Sequence, residues 1–273
     1  MCGIDGFNFK DENLIKKMMA ETSSRGPDNQ DYFASSEYTV GHNRLSIIDP
    51  DKRSNQPYYF KNFILSFNGE IYNYLDIKKV LISKGYSFKT NSDTEVIIKL
   101  FDFEGKDSFK KLSGIFSISI YDLTSKKLYL VRDIVGVKPL YYYYESDTKK
   151  FIFSSLINSI LIYKKNKQLN YDAINSYSNF NRNDYRETFF KNIFKVLPGE
   201  LIEIYKGNCK RTKLLNFEFK KDKNENELNK DISKNFSNQF LSDVPVALSL
   251  SGGVDSNILL HELLKNKGTN FTN

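Results

Sequence analysis

Cysteine is scarce in this chain: Cys2 and Cys209 are the only two in 273 residues. Two thiols cannot build a disulfide framework, so the fold must rest on its core, and a reducing, cytoplasmic location is expected. Long apolar runs are missing as well. No stretch approaches the ~18 consecutive apolar residues that a membrane-spanning helix needs. A basic segment followed by an apolar one, the mark of a secretory signal, is not seen at the N-terminus.

What is present is the composition of a soluble globular protein, 40% apolar and 27% charged. That length accommodates one large domain or two ordinary ones. The net charge of +7 raises a nucleic-acid reading. The lysines are scattered, however, in Lys149-Lys150, Lys164-Lys165-Asn166-Lys167 and Lys220-Lys221-Asp222-Lys223, without interleaved aromatics. A binding groove for single strands would need those aromatics. The charge reads as a solvated surface, with neither nucleic acid nor membrane as a partner.

The first ~160 residues alternate as strands do. Tyr38–His42, Phe63–Phe67, Ile115–Tyr121, Leu128–Val131 and Leu140–Tyr144 are predicted strands, and Tyr141–Tyr144 fits a strand covered on both faces. Helices are predicted over Glu12–Glu21, Tyr74–Lys84 and Asp93–Glu104, with a turn at Asp122–Lys127. Leu201–Tyr205 reads as a strand after Pro198-Gly199, and Lys220–Glu227 as a linker or a solvated helix start. Leu228–Leu241 fits a helix. Beyond it, Val246–Leu250 is a short apolar strand, followed by a Ser-Gly loop and an apolar helix over Asn257–Lys265.

Several segments carry chemistry. In Met1-Cys2-Gly3-Ile4 the small second residue permits removal of Met1, which would leave Cys2 with a free α-amine beside its thiol. An amine of pKa ~7.7–8.0 next to a thiol of ~8.5 pairs a base with a nucleophile near neutral pH. Met-Cys by chance is the plain alternative. Asn68-Gly69-Glu70-Ile71-Tyr72-Asn73 offers a side-chain amide beside a glycine N–H, two donors suited to an oxyanion. Asn-Gly is equally the commonest hairpin turn. Arg44 and Asp93 could clamp the carboxylate and ammonium of an amino acid. Alternatively Arg44 makes a surface ion pair and Asp93 caps a helix. Arg25-Gly26-Pro27-Asp28 and Arg132-Asp133 through Lys138-Pro139-Leu140 read as loops with paired charges. Ser251-Gly252-Gly253-Val254-Asp255-Ser256, between a strand and a helix, fits an anion cradle or an ordinary turn. It lacks the lysine of a Walker A loop.

Together these motifs, in order and approximate spacing over essentially the whole chain, resemble the glutamine-dependent asparagine synthetases. The resemblance implies a class II glutamine amidotransferase domain over residues 2–205. Its fold is an α+β N-terminal-nucleophile hydrolase, an αββα sandwich of two antiparallel sheets between helical layers. A linker over 206–227 and the start of an α/β ATP-pyrophosphatase domain over 228–273 would follow. Cys2 would be the nucleophile, with Asn68 and Gly69 as the oxyanion hole. Arg44, Ile47, Ile48, Asn68, Glu70 and Asp93 would hold glutamine. Leu250, Ser251, Gly252, Gly253, Asp255 and Ser256 would hold ATP, used with Mg2+ to activate aspartate for amidation by ammonia. No metal or cofactor is implied for glutamine hydrolysis itself, and a homodimer is an expected state. The 28 residues from Val246 to Asn273 are too few for the aspartate site, because a parallel sheet needs its neighbours. Amidation of another acceptor (a sugar or peptide carboxylate), a glutaminase alone, and a non-catalytic descendant are the rival readings. The presence of Cys2 speaks against the last.

Overall fold

A computed structural model describes residues 1–164, 167–180, 186–217 and 224–265. The described residues divide into two compact units, 1–217 and 218–273. In the first unit the alternating segments assemble into two antiparallel sheets. One contains β1 (Gly3–Phe7), β2 (Asn29–Ala34), β3 (Thr39–Arg44), β8 (Tyr141–Glu145), β9 (Lys150–Ser154) and β10 (Ile193–Lys195), in the order β10-β8-β9-β1-β3-β2. The other contains β4 (Tyr58–Phe60), β5 (Phe63–Ile71), β6 (Gly114–Asp122), β7 (Lys127–Arg132), β11 (Glu200–Tyr205) and β12 (Asn208–Lys213), in the order β12-β11-β7-β6-β5-β4.

The central strands of each sheet are covered on both faces. Side chains alternate between faces along a strand. Leu65, Phe67, Phe116, Ile118 and Ile120 pack outward against Ile77, Leu81, Val96 and Phe101 of α2 (Tyr74–Ser83) and α3 (Asp93–Glu104). On the other side Phe7 and Ile152 meet Ile15, Met18 and Ile160 of α1 (Glu12–Thr22) and α4 (Ile157–Tyr163). Between the sheets lie Ile4, Val40, Tyr142, Phe151 and Phe153 from one and Ile64, Leu130, Ile202 and Ile204 from the other. Burying each large apolar side chain contributes roughly 1.5–3 kcal/mol. The result is the expected α+β arrangement of two stacked sheets between helical layers. Tyr142 faces the inter-sheet core and Tyr143 the helical layer, so the tyrosine run is indeed a strand covered on both sides.

Three expectations need correction. The first domain does not end at Tyr205, because Asn208–Lys213 returns as β12, paired with β11 from Glu200↔Lys213 to Tyr205↔Asn208. Residues 218–223 of the expected linker lie outside the described residues. Val246–Leu250 forms no strand. An isolated apolar run has no ladder to join, and a strand exists only through its partners. Helix α7 starts at Val254, three residues earlier than expected, and runs to Lys265.

Helix α5 (Tyr171–Phe180) completes the helices of the first unit. The second unit holds α6 (Glu225–Gln239) and α7. Asn224 and Glu227 close a capping box at the start of α6, and Ser233 donates to Glu262 Oε2 at 2.6 Å. Among the described residues, no helix is long and apolar enough to cross a membrane.

Candidate active site

Cys2 sits just before β1. Its Sγ accepts from the Leu45 N–H at 3.4 Å. Arg25 Nε donates to the Cys2 carbonyl at 2.9 Å, so the first motif loop braces the nucleophile's own backbone. The next residues of that loop hold the neighbouring wall: Asp28 Oδ2 accepts from Ser46 N at 2.7 Å, and Asp28 N donates to Arg44 O at 3.0 Å. Gly26 is required for this fit, since a Cβ there would lie 2.2 Å from Asn43 O. Burial pushes the Cys2 thiol above its ordinary pKa, against the opposing pull of the Leu45 hydrogen bond. Met1 precedes Cys2 in this structure, and its half-buried amine is pushed down by burial.

Asn68 and Gly69 lie within β5 and not in a turn, registered opposite Ser117 and Phe116 of β6. The Asn68 side chain is 1% exposed. Neither its Nδ2 nor its Oδ1 has a partner among the described residues. Buried amides are almost always hydrogen-bonded, so an unpartnered donor in a cleft is reserved for something that enters. Gly69 has φ +154°, and a Cβ would fall 2.0 Å from Ile115 O. Only glycine lets the two strands approach this closely.

Arg44 ends β3 and is almost fully buried. Its terminal N–H groups are already engaged: Nη1 donates to Asp51 O and Asn55 Oδ1, and Nη2 to Ile48 O and Asp49 O. The guanidinium therefore organises the loop that carries Ile47 and Ile48. These four side-chain bonds of Arg44 thus all come from its Nη groups and none from Nε–H. Asp93 is the first residue of α3. Ser92, not Asp93, caps that helix, accepting from Thr94 N at 3.1 Å. The Asp93 carboxyl accepts from Ile71 N at 3.0 Å. Burial, reinforced by nearby Glu70, raises its pKa to about 7 despite that bond. Burial also raises Glu70, opposed by Lys138.

Cys2, Arg44, Ile47, Ile48, Asn68, Gly69, Glu70 and Asp93 thus share one cleft. Its remaining wall was not expected: Met1, Leu45, Gln56, Phe67, Ser92, Thr94 and Lys138. Gln56 joins two elements, accepting from Phe67 N at 2.7 Å and donating to Thr94 Oγ1 at 3.4 Å. Lys138 is delivered by a tightly built loop. Asp133 accepts from the backbone N–H groups of Phe116, Val135, Gly136, Val137 and Lys138. Arg132 donates to the carbonyls of Gly136, Lys138 and Val196. Buried charge confined to a short turn was the available signal for a positioned lysine. Burial lowers the Lys138 pKa, while Glu70 and Cys2 favour its charged form.

Ser251–Ser256 belongs to the second unit and largely satisfies itself. Ser251 Oγ lies 3.2 Å from Ser256 Oγ, Gly253 N donates to Ser251 Oγ, and Ser256 Oγ donates to Gly253 O. Leu250, Gly252, Gly253 and Asp255 are exposed. With no strand behind the loop and its hydroxyls committed to one another, this arrangement does not fit a formed ATP cradle. Among the described residues, no three His, Cys, Asp or Glu side chains gather into a cation site.

A sequence profile of the glutamine amidotransferase domain matches residues 1–215. Asparagine synthetase [glutamine-hydrolyzing] 1 of Bacillus subtilis is 32% identical over 95% of this chain and 43% of its own length. A putative asparagine synthetase [glutamine-hydrolyzing] 2 of Methanocaldococcus jannaschii is 31% identical over 95% and 56%. The chain spans about half the length of these curated relatives. In fold it is similar to the glutamine phosphoribosylpyrophosphate amidotransferase of B. subtilis, with a TM-score of 0.57 at 18% identity over 77% of this chain and 49% of that one. The chain is a member of the glutamine amidotransferase domain family.

Proposed function

We propose that this domain releases ammonia from glutamine through a thioester on Cys2, as the glutaminase half of a glutamine-dependent asparagine synthetase. The observation that carries the reading is the unpartnered Asn68 amide, buried in the cleft that holds the Cys2 thiol. Removal of Met1 turns the Cys2 nitrogen from an amide into an amine able to take the thiol proton. The Cys2 sulfur adds to the side-chain amide carbon of glutamine, and the oxyanion is held by Asn68 Nδ2–H and the Gly69 N–H. The C–N bond then breaks, the amine's proton goes to the departing nitrogen, and ammonia leaves a γ-glutamyl thioester. Water next adds to the thioester carbonyl, the C–S bond breaks, and glutamate departs as Cys2 regains a proton. Arg44 Nε–H, with the loop at Ile47 and Ile48, orients the substrate carboxylate. Glu70 and Asp93 face its ammonium. A thiol that must stay reduced suits a cytoplasmic location.

Amidation of aspartate with ATP and Mg2+, and a homodimeric state, belong to the same proposal. Their support is resemblance to relatives named asparagine synthetase, and no step is derived through residues 250–256. The deciding experiment measures glutamate released from glutamine by the processed protein beside Cys2→Ala, with intact mass reporting loss of Met1. Hydrolysis by the processed wild type and none by the variant is expected. A processed wild type that releases no glutamate would overturn the reading.

A further inference from the structure

The inner face of β5 and β6 is unusually polar for the centre of a sandwich. Starting at the cleft, the registered pairs are Asn68↔Ser117, Ser66↔Ser119 and Ile64↔Tyr121. The alternate residues Leu65, Phe67, Phe116, Ile118 and Ile120 point to the helical layer, so Ser66, Asn68, Ser117 and Ser119 face the opposite sheet. Two bonds from that sheet reach this track. Tyr38 OH lies 2.7 Å from Ser119 Oγ, and His42 Nε2 lies 3.0 Å from Phe67 O. Burial holds His42 neutral, with a pKa near 4, so an Nε2–H donor leaves Nδ1 as an acceptor.

Most of these groups lack partners. The buried side-chain atoms without a hydrogen bond among the described residues number eight. Six of them lie on this track: both polar atoms of Asn68, Ser66 Oγ, Ser117 Oγ, His42 Nδ1 and Tyr121 OH. All five residues are 3% exposed or less. Scattered orphans could be strain, but five of these atoms share one face of the β5–β6 pair and the sixth, His42 Nδ1, comes from the sheet opposite. Groups of this kind are satisfied in proteins by buried water making two to four bonds.

We infer that ordered water fills the track between the sheets and supplies the molecule that hydrolyses the Cys2 thioester from inside the sandwich. This rests on the glutaminase reading. Asn68 lines the cleft, and Ser117 and Ser66 follow it on the same inner face, so water held beside them lies next to the amide that faces the thioester. A water there donates one proton to the Cys2 amine as its oxygen bonds the thioester carbon. The C–S electron pair returns to sulfur, which takes the proton back. The next water along Ser117, Ser66 and His42 then moves up.

Two variants that fill the track with methyl groups, Ser117→Val and Ser66→Val, test this. The measurements are glutamate release, the γ-glutamyl adduct on Cys2 by rapid-quench intact mass, and hydroxylamine as a second acceptor. Hydroxylamine entering by the cleft mouth attacks the thioester through nitrogen, breaks the same C–S bond and forms the hydroxamate. Adduct accumulation, deacylation slowed about tenfold, the loss expected of one hydrogen-bonded position, and turnover restored by hydroxylamine are expected. A folded variant that slows acylation alone, or deacylates like the wild type, overturns the inference. Should neither variant fold, a high-resolution crystal structure of the wild type decides. Water within hydrogen-bonding reach of Ser66, Ser117 and His42 is expected, and a dry track refutes the inference. A wild type that forms no glutamate would defeat the glutaminase reading instead, a result distinct from any of these.

Discussion

At the scale of single residues, the cleft sets two needs against each other. Asn68 keeps its amide unpartnered, which costs stability, and Asp93 keeps a carboxyl where water cannot solvate its charge. Replacing Asn68 by alanine removes one oxyanion donor and should lower kcat about 10²–10³-fold, or ~2.7–4 kcal/mol of barrier. Steady-state glutaminase assays check this, and a folded variant within a few-fold of wild type would speak against the role. For Asp93, the folded-state pKa of about 7 exceeds the ~3.9 of an unfolded carboxyl. Between those values the folded chain binds the extra proton, so this group's contribution to stability falls as pH rises from about 4 to about 7. Glutamine's ammonium requires the ionised form. KM for glutamine should therefore climb as pH drops below about 7, and binding near that pH should release protons. Calorimetry in buffers of different ionisation enthalpy reads that release. Asp93→Asn should weaken binding and remove its pH dependence through this range while leaving the protein no less stable at pH 8.

At the scale of elements, the Arg132–Lys138 loop is the strongest case of local structure built around one side chain. Five backbone N–H groups converge on Asp133, which is 1% exposed. Asp133→Ala would orphan four of them, since Gly136 N also donates to the Asp133 carbonyl at 3.1 Å, each costing ~1–3 kcal/mol if left buried. Relaxation of the turn will recover part of that, so a loss of about 3 kcal/mol or more is expected, read as a lower urea midpoint. Lys138 should leave the cleft with it. The contrast with residues 246–250 is instructive. Their apolar composition suits a strand, but a strand's hydrogen bonds lie on neighbours, and composition cannot supply them. β5 errs the other way: Asn68-Gly69 carries the commonest turn signal, yet pairing with β6 continues straight through it. Cys2, Asn68, Arg44 and Asp93 were legible because each lies in a short, chemically unusual motif. Gln56 and Lys138 were not, because their arrival depends on loops closing across the fold, information that no local window contains.

At the scale of the molecule, every residue of the cleft belongs to the first unit, residues 1–217. Three apolar clusters also lie in that unit, while Phe236 is the one buried apolar residue among the described residues of the second. A protein ending at Phe217 should therefore fold cooperatively and hydrolyse glutamine with kcat/KM close to that of the full chain. Calorimetry and glutamate assays on the shortened protein check both. A β-rich domain with a few helices was readable from alternation, while the stacking of two sheets into a sandwich was implied by the family resemblance. The limits of its last strand were not readable, as Asn208–Lys213 is polar and exposed and joins the sheet only through β11.

Arg44 ties these scales together. Its Nη atoms support Ile48, Asp49, Asp51 and Asn55, leaving Nε for a ligand. A carboxylate that takes a bidentate grip must draw one Nη hydrogen away from a loop oxygen. Occupancy of the cleft and the shape of its rim are then a single equilibrium: what binds there loosens the loop beside it, and whatever stiffens that loop weakens the grip.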